Sequence, residues 1–275
     1  MKVPWESRGG DPSFVPILER LPVLSRYAKN RGWHYVTSWL HRFTGIGLFI
    51  ALMVCMVVFP SWRTPYVFNP DARIPAQPIL VFLTWATSLV VSFHALNGGR
   101  LILYELFGRR NDASMMRWVF GLSAAYAATV GLMMLMESRR VSAFSFWLAT
   151  FSFGAIAACF VGSRLCKKRH SVLWKLQRIS AAFLFITVPA YLLFLSLNPH
   201  AAVGTEGAIL GMQDVFTRLT LLTMATSALY HAGYGLFSIA ADYVSPGVTR
   251  VGMTALIVIL VAVVAGLVFR FVLSV

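Results

Sequence analysis

The residues best suited to chemistry in this 275-residue sequence are two histidines in matching surroundings. His94 opens the run His94-Ala95-Leu96-Asn97-Gly98, with Glu105 eleven residues on; His231 opens His231-Ala232-Gly233-Tyr234-Gly235, with Asp242 at the same distance. Both lie in long apolar stretches, where an ionisable side chain marks a functional site by default. Neutral imidazole ligates haem iron, and two such rings on facing helices at equal height form a bis-histidine site of the b type. A hydrogen-bonded structural pair is the plainer alternative. Gly98 and Gly235 lie one helical turn further along the same faces, where a missing side chain makes room for a flat macrocycle or for a close-packed helix.

A second polar group gathers near the helix ends. Arg42 and Arg178 stand 52 and 53 residues before the two histidines, each at the start of an apolar run. Cationic side chains there suit propionate groups or lipid phosphates. His41 precedes Arg42, but the matching place before Arg178 is Gln177, which disfavours a four-histidine, two-haem bundle. Ser38, Arg42, Asp242 and Tyr243 bring a hydroxyl, a cation, a carboxylate and a phenol to one level. Such a set can hydrogen-bond a quinone carbonyl and relay protons. His34, His170 and His200 fall in loops or at interfaces.

Positioning these groups requires a membrane. The chain is 58% hydrophobic and 12% charged, with a mean hydropathy of +0.71, more apolar surface than a water-soluble core of this size buries. Seven stretches are long enough to span, near 38–60, 78–106, 116–136, 143–163, 172–196, 212–240 and 250–273. Turn or charge signals separate them, among them Pro60, Pro75, Asn198-Pro199 and Ser245-Pro246-Gly247. The net charge of +14 is explained by topology and does not call for nucleic acid. With the N-terminus inside, the inner segments carry fifteen of the 24 Lys and Arg residues, and the outer loops carry only Arg63, Arg73, Arg139 and Arg140. Trp33, Trp39, Trp118 and Trp174 at the inner boundary, and Trp62 and Trp147 at the outer, suit interfacial anchoring, whereas Trp85 reads as a core aromatic. Cys55, Cys159 and Cys166 show no zinc or disulfide spacing. The first apolar run begins too late for a cleaved signal peptide, so the N-terminus is expected to stay attached and cytoplasmic.

The two histidine runs superpose at a shift of 137, and Leu40-His41-Arg42 superposes on Leu176-Gln177-Arg178 at 136. Helices one to three and five to seven are therefore expected to be equivalent units. Three crossings would invert the second unit; an extra helix near 143–163 restores its orientation and makes the repeat parallel, about an axis along the membrane normal. The expected fold is an all-α integral membrane protein. It comprises an N-terminal cytoplasmic segment (1–37), a first three-helix repeat (38–140), a linker transmembrane helix (141–170) and a second three-helix repeat (171–275). A transporter could share parallel repeats, although the histidine helices lack internal proline and Pro189 lies in helix five.

At these residues the chain resembles the membrane anchor of succinate:quinone oxidoreductase, respiratory complex II, with the larger cytochrome b subunit and the smaller anchor subunit fused. Ser38-Trp39-Leu40-His41-Arg42-Phe43-Thr44-Gly45 is similar to the larger subunit's Ser-x-x-His-Arg-x-(Ser/Thr)-Gly motif. His94 to Glu105 resembles its His-x-x-x-Gly-x-Arg-His-x-x-x-Asp motif, with Leu101 in place of the second histidine and Glu105 in place of the aspartate. Gln177-Arg178 and the run from His231 to Tyr243 resemble the smaller subunit. The likeness covers about 36 to 270, apart from the linker helix; the Arg-Pro-x-Ser-Pro-His stretch of many larger subunits is missing. It implies one haem b per chain on His94 and His231, with His41, Arg42 and Arg178 near its propionates. It also implies a ubiquinone or menaquinone site at Ser38, Arg42, Asp242 and Tyr243. A flavoprotein and an iron-sulfur protein would bind on the cytoplasmic face of a bacterial inner membrane and would hold the succinate chemistry, for which this chain has no catalytic residue.

Overall fold

A computed structural model describes residues 33–61, 76–108, 112–135, 143–197 and 215–273. These form seven helices: α1 (Trp33–Ser61), α2 (Ala76–Phe107), α3 (Asp112–Leu135), α4 (Ala143–Cys166), α5 (Val172–Leu197), α6 (Val215–Tyr243) and α7 (Val248–Leu273). The shortest have 24 residues, about 36 Å of helix against about 30 Å of hydrocarbon. Within the described residues, four segments are long and apolar enough to cross a membrane: Tyr35–Val54, Phe144–Cys166, Val172–Phe194 and Val248–Arg270. Burial agrees with a bilayer as solvent. Phe153, Ile156, Val258 and Ile259 are exposed, whereas Thr37, Asn97, Arg100, Thr187 and Thr220 are inside. In lipid the apolar faces need no cover, and polar side chains join the helices to one another. The chain is an all-α membrane protein.

The helices overrun their expected limits because a helix satisfies its own backbone hydrogen bonds as it leaves the hydrocarbon. α1 starts at Trp33 instead of 38, and α6 runs on to Tyr243 instead of 240. Gly108 ends α2 with φ 68°, its N–H donating to the Tyr104 carbonyl at 2.9 Å, and Gly247, with φ 134°, turns the chain between α6 and α7. The expected beginning of helix six at 212–214, the segment 1–32, and the outer-loop residues Trp62, Arg63, Arg73, Arg139 and Arg140 lie outside the described residues.

Packing places the histidine helices across from each other. α1 packs on α2, α2 on α5, α5 on α6 and α6 on α1, so that α2 and α6 stand on a diagonal of a four-helix core. α3 lies outside against α2 and α5, and α7 lies outside against α6 and α1. Phe49, Leu229, Val264 and Val268 join α1, α6 and α7, while Ile102, Val161, Leu165 and Ala182 join α2, α4 and α5. α4 rides on α5, where a Cβ at Gly154 would stand 3.0 Å from both Phe183 Cδ2 and Thr187 Cγ2. Trp147 corrects an expectation. It is 2% exposed, packed among Phe146, Tyr191 and Phe194, and so belongs to the α4–α5 core and not to the outer interface. Trp85 is half-buried against α3, its Nε1 donating to the Ala127 carbonyl at 3.2 Å.

Candidate functional site

His94 on α2 and His231 on α6 meet inside this core, with ring centroids 6.2 Å apart and planes at 88°. The surroundings of His94 set its tautomer. Its Nδ1 lies 3.1 Å from the His41 carbonyl oxygen and 3.0 Å from Thr44 Oγ1 on α1. A carbonyl can only accept, so Nδ1 carries the hydrogen and Nε2 keeps a lone pair for a metal. Thr44 in turn donates back to α1, its Oγ1 lying 2.9 Å from the Leu40 carbonyl and 3.0 Å from that of His41. His231 is held differently. Gln177 Nε2 donates to its backbone carbonyl at 3.1 Å, while its own Nδ1 is buried with no hydrogen-bond partner among the described residues.

His41 joins the pair. Its ring stacks on His94 at 4.0 Å and 11°, which sets it at the same level. The glycines show why the side chains fit. A Cβ at Gly98 would meet His41 Cε1 at 3.1 Å, and one at Gly235 would meet Gln177 Nε2 at 3.8 Å. In this arrangement Gly98 accommodates the His41 ring, whereas at Gly235 a Cβ would make only an ordinary contact with Gln177.

Two ion pairs lie at the helix ends that the sequence reading put on the inner side, and each crosses between halves of the chain. Arg42 on α1 donates to Asp242 Oδ2 at 2.6 Å and to Tyr243 Oη at 2.8 Å, both at the end of α6. Its guanidinium carbon stands 5.2 Å from the centre of the tyrosine ring. This cluster is open, with Arg42 and Asp242 side chains 37% and 48% exposed; half-buried Ser38 is one turn before Arg42. Arg178 on α5 grips both carboxylate oxygens of Glu105, at the end of α2, at 2.7 Å each. Trp174 covers Arg178 at 4.8 Å, and Lys168 Nζ donates to the Glu105 backbone carbonyl. The cation expected near a propionate thus has a carboxylate of this chain as its partner.

Three further polar residues received no role from the sequence. Asn97 Nδ2 donates to the Thr37 carbonyl at 3.2 Å, and Arg100, 2% exposed, donates to Thr37 Oγ1 at 3.1 Å. A charged residue within an apolar run was the signal for Arg100. For Thr44 the signal was its place in the Ser-x-x-His-Arg-x-(Ser/Thr)-Gly pattern.

The donor set fits a haem. Two imidazoles that share one metal ion, each nitrogen at about 2 Å, have ring centres about 6 Å apart, close to the separation found here. Among the described residues no group of three or more His, Cys, Asp or Glu is arranged to hold a metal ion, and a porphyrin, which brings four ligands of its own, needs only two.

Comparison with known proteins found no match among curated proteins and none among solved structures. The family model described as succinate dehydrogenase/fumarate reductase transmembrane subunit matches residues 19–133 and 162–269, leaving out 134–161 and with it most of α4. Those two stretches take in both histidines, both Arg–acid pairs and the four core helices, and the chain belongs to the succinate dehydrogenase/fumarate reductase transmembrane subunit family.

Proposed function

We propose that this chain is a haem- and quinone-binding membrane anchor, with the two anchor subunits of the complex joined in one polypeptide. All seven helices cross the bilayer, the N-terminus inside and the C-terminus outside, and α1–α3 and α5–α7 are parallel repeats joined by α4. Support for the repeat comes from the packing: each neighbour relation within the first set recurs in the second. The ion pairs obey the same exchange, the arginine of each half meeting the acid of the other.

The observation that carries the functional reading is the His94–His231 pair, two ring centres 6.2 Å apart on facing helices, with His94 fixed as an Nδ1–H tautomer. These two histidines would hold one haem b, and His41 and Arg42 would serve its propionates. When bound, that group supplies a one-electron store inside the membrane. A two-haem arrangement finds no support, since His41 is stacked on His94 and its counterpart is Gln177.

Ser38, Arg42, Asp242 and Tyr243 bind ubiquinone or menaquinone. Tyr243 Oη accepts from Arg42, so the phenol hydrogen is left to point at a quinone carbonyl. Asp242 neutralises the cation and, half exposed, passes protons from the aqueous side. A flavoprotein and an iron-sulfur protein dock on the cytoplasmic face and deliver electrons from succinate, or draw them for fumarate. The bacterial inner membrane is the setting that fits.

The test is optical. His94→Ala and His231→Ala are each expected to abolish the low-spin b-type spectrum of the purified chain, and an unchanged spectrum in both variants would remove the ligand assignment.

A further inference from the structure

The two histidines are seated differently. His94 reaches the His41 carbonyl because position 45 is glycine; a Cβ there would stand 3.0 Å from His94 Cε1. In the second half the sequence aligns Gln177 with His41, Ser180 with Thr44, and Ala181 with Gly45. Most of the seat is present. Ser180 Oγ donates to the Gln177 carbonyl at 3.0 Å, just as Thr44 Oγ1 lies 3.0 Å from that of His41. Yet His231 Nδ1 is buried with no partner among the described residues, and so is Gln177 Oε1. At the aligned positions Gln177 replaces His41, whose ring stacks on His94, and Ala181 puts a methyl where Gly45 leaves room for the His94 imidazole.

We propose that Thr44 and Gly45 are positioning residues that make His94 the fixed axial imidazole, whereas Ala181 keeps His231 off the equivalent carbonyl and leaves its ring plane unanchored. This rests on the reading of the two histidines as haem ligands. An imidazole whose Nδ1–H is bound to a carbonyl is a more basic and better oriented ligand, and loss of such a partner typically weakens metal binding about 10- to 100-fold. His231 is therefore the weaker ligand. The inequivalence is built into α1 and α5 and not into the histidine helices.

The experiment compares four variants of the full chain in membranes, reading haem retained per chain during detergent washing and the low-spin electron paramagnetic resonance signal. Thr44→Val keeps the shape and removes the hydroxyl; Gly45→Ala inserts the methyl that Ala181 carries. Both should shift the low-spin signal, and Gly45→Ala should lower haem retention about tenfold. Ser180→Ala should leave signal and retention as they were, and Ala181→Gly, which opens the second seat, should shift the signal and raise retention. Thr44→Val and Ser180→Ala acting alike would overturn the proposal, as would an unshifted signal in Gly45→Ala. If Gly45→Ala fails to accumulate, Thr44→Val against Ser180→Ala decides between the two results. A wild-type chain with haem but equal responses defeats this proposal alone; a wild-type chain without haem defeats the ligand reading as well.

Discussion

Arg42 divides its hydrogen bonds between a carboxylate and a phenol, and that division determines what Tyr243 can do. With the phenol oxygen accepting at 2.8 Å, its O–H is left to donate. Tyr243→Phe removes that hydrogen while keeping the ring beside Arg42. Quinone reduction should fall about 100-fold while succinate oxidation by a soluble dye stays constant; equal loss of both would point to failed assembly and against a quinone role. Arg42→Ala should act in the same direction, since it also strips Asp242 of its partner. Arg42, Asp242 and Tyr243 were legible as one level because residue counting fixes the height of a side chain along a helix. Partners across helices were not. Arg178 matched a propionate-binding pattern, yet it is bound to Glu105, and nothing local to either residue states that α5 will stand beside α2.

At the scale of elements, contacts between helices hold the site's walls in place. The Arg178–Glu105 pair ties α5 to α2 through two 2.7 Å bonds at a partly exposed position, its side chains 25% and 29% accessible. Glu105→Gln should lower stability in detergent by about 1–2 kcal/mol, read as a drop in thermal midpoint, and the exchanged pair Glu105→Arg with Arg178→Glu should recover part of it. No recovery would mean that the bond geometry, or the cover from Trp174 and Lys168, matters more than the charges. On the far side of α5, Gly154→Leu should prevent α4 from seating, because even a Cβ there stands 3.0 Å from two α5 side chains. The check is protease sensitivity at the α4–α5 connection, expected to rise sharply; an unchanged digestion pattern would deny the close approach. The existence and order of the helices were readable from hydropathy alone, since lipid demands continuous apolar helix. Their ends were less so: α6 continues to Tyr243 because helical hydrogen bonding persists beyond the apolar run. Trp147 was misplaced for a related reason, as amphipathic rings serve interfaces and cores equally well.

Taken whole, the molecule brings two similar halves into one core, and its centre is a pair of histidines contributed one by each. The matching offsets of 136 and 137 made this pairing readable in advance; the unequal seating of the rings was hidden, because it depends on contacts from α1 and α5 that only packing reveals. The family match reaches both histidine helices and passes over most of α4. Haem stoichiometry tests the bis-histidine centre most directly. A pyridine haemochrome assay on the purified chain should give one haem b per polypeptide, falling to none in His94→Ala and in His231→Ala. Two haems per chain, or full haem content in both variants, would contradict it.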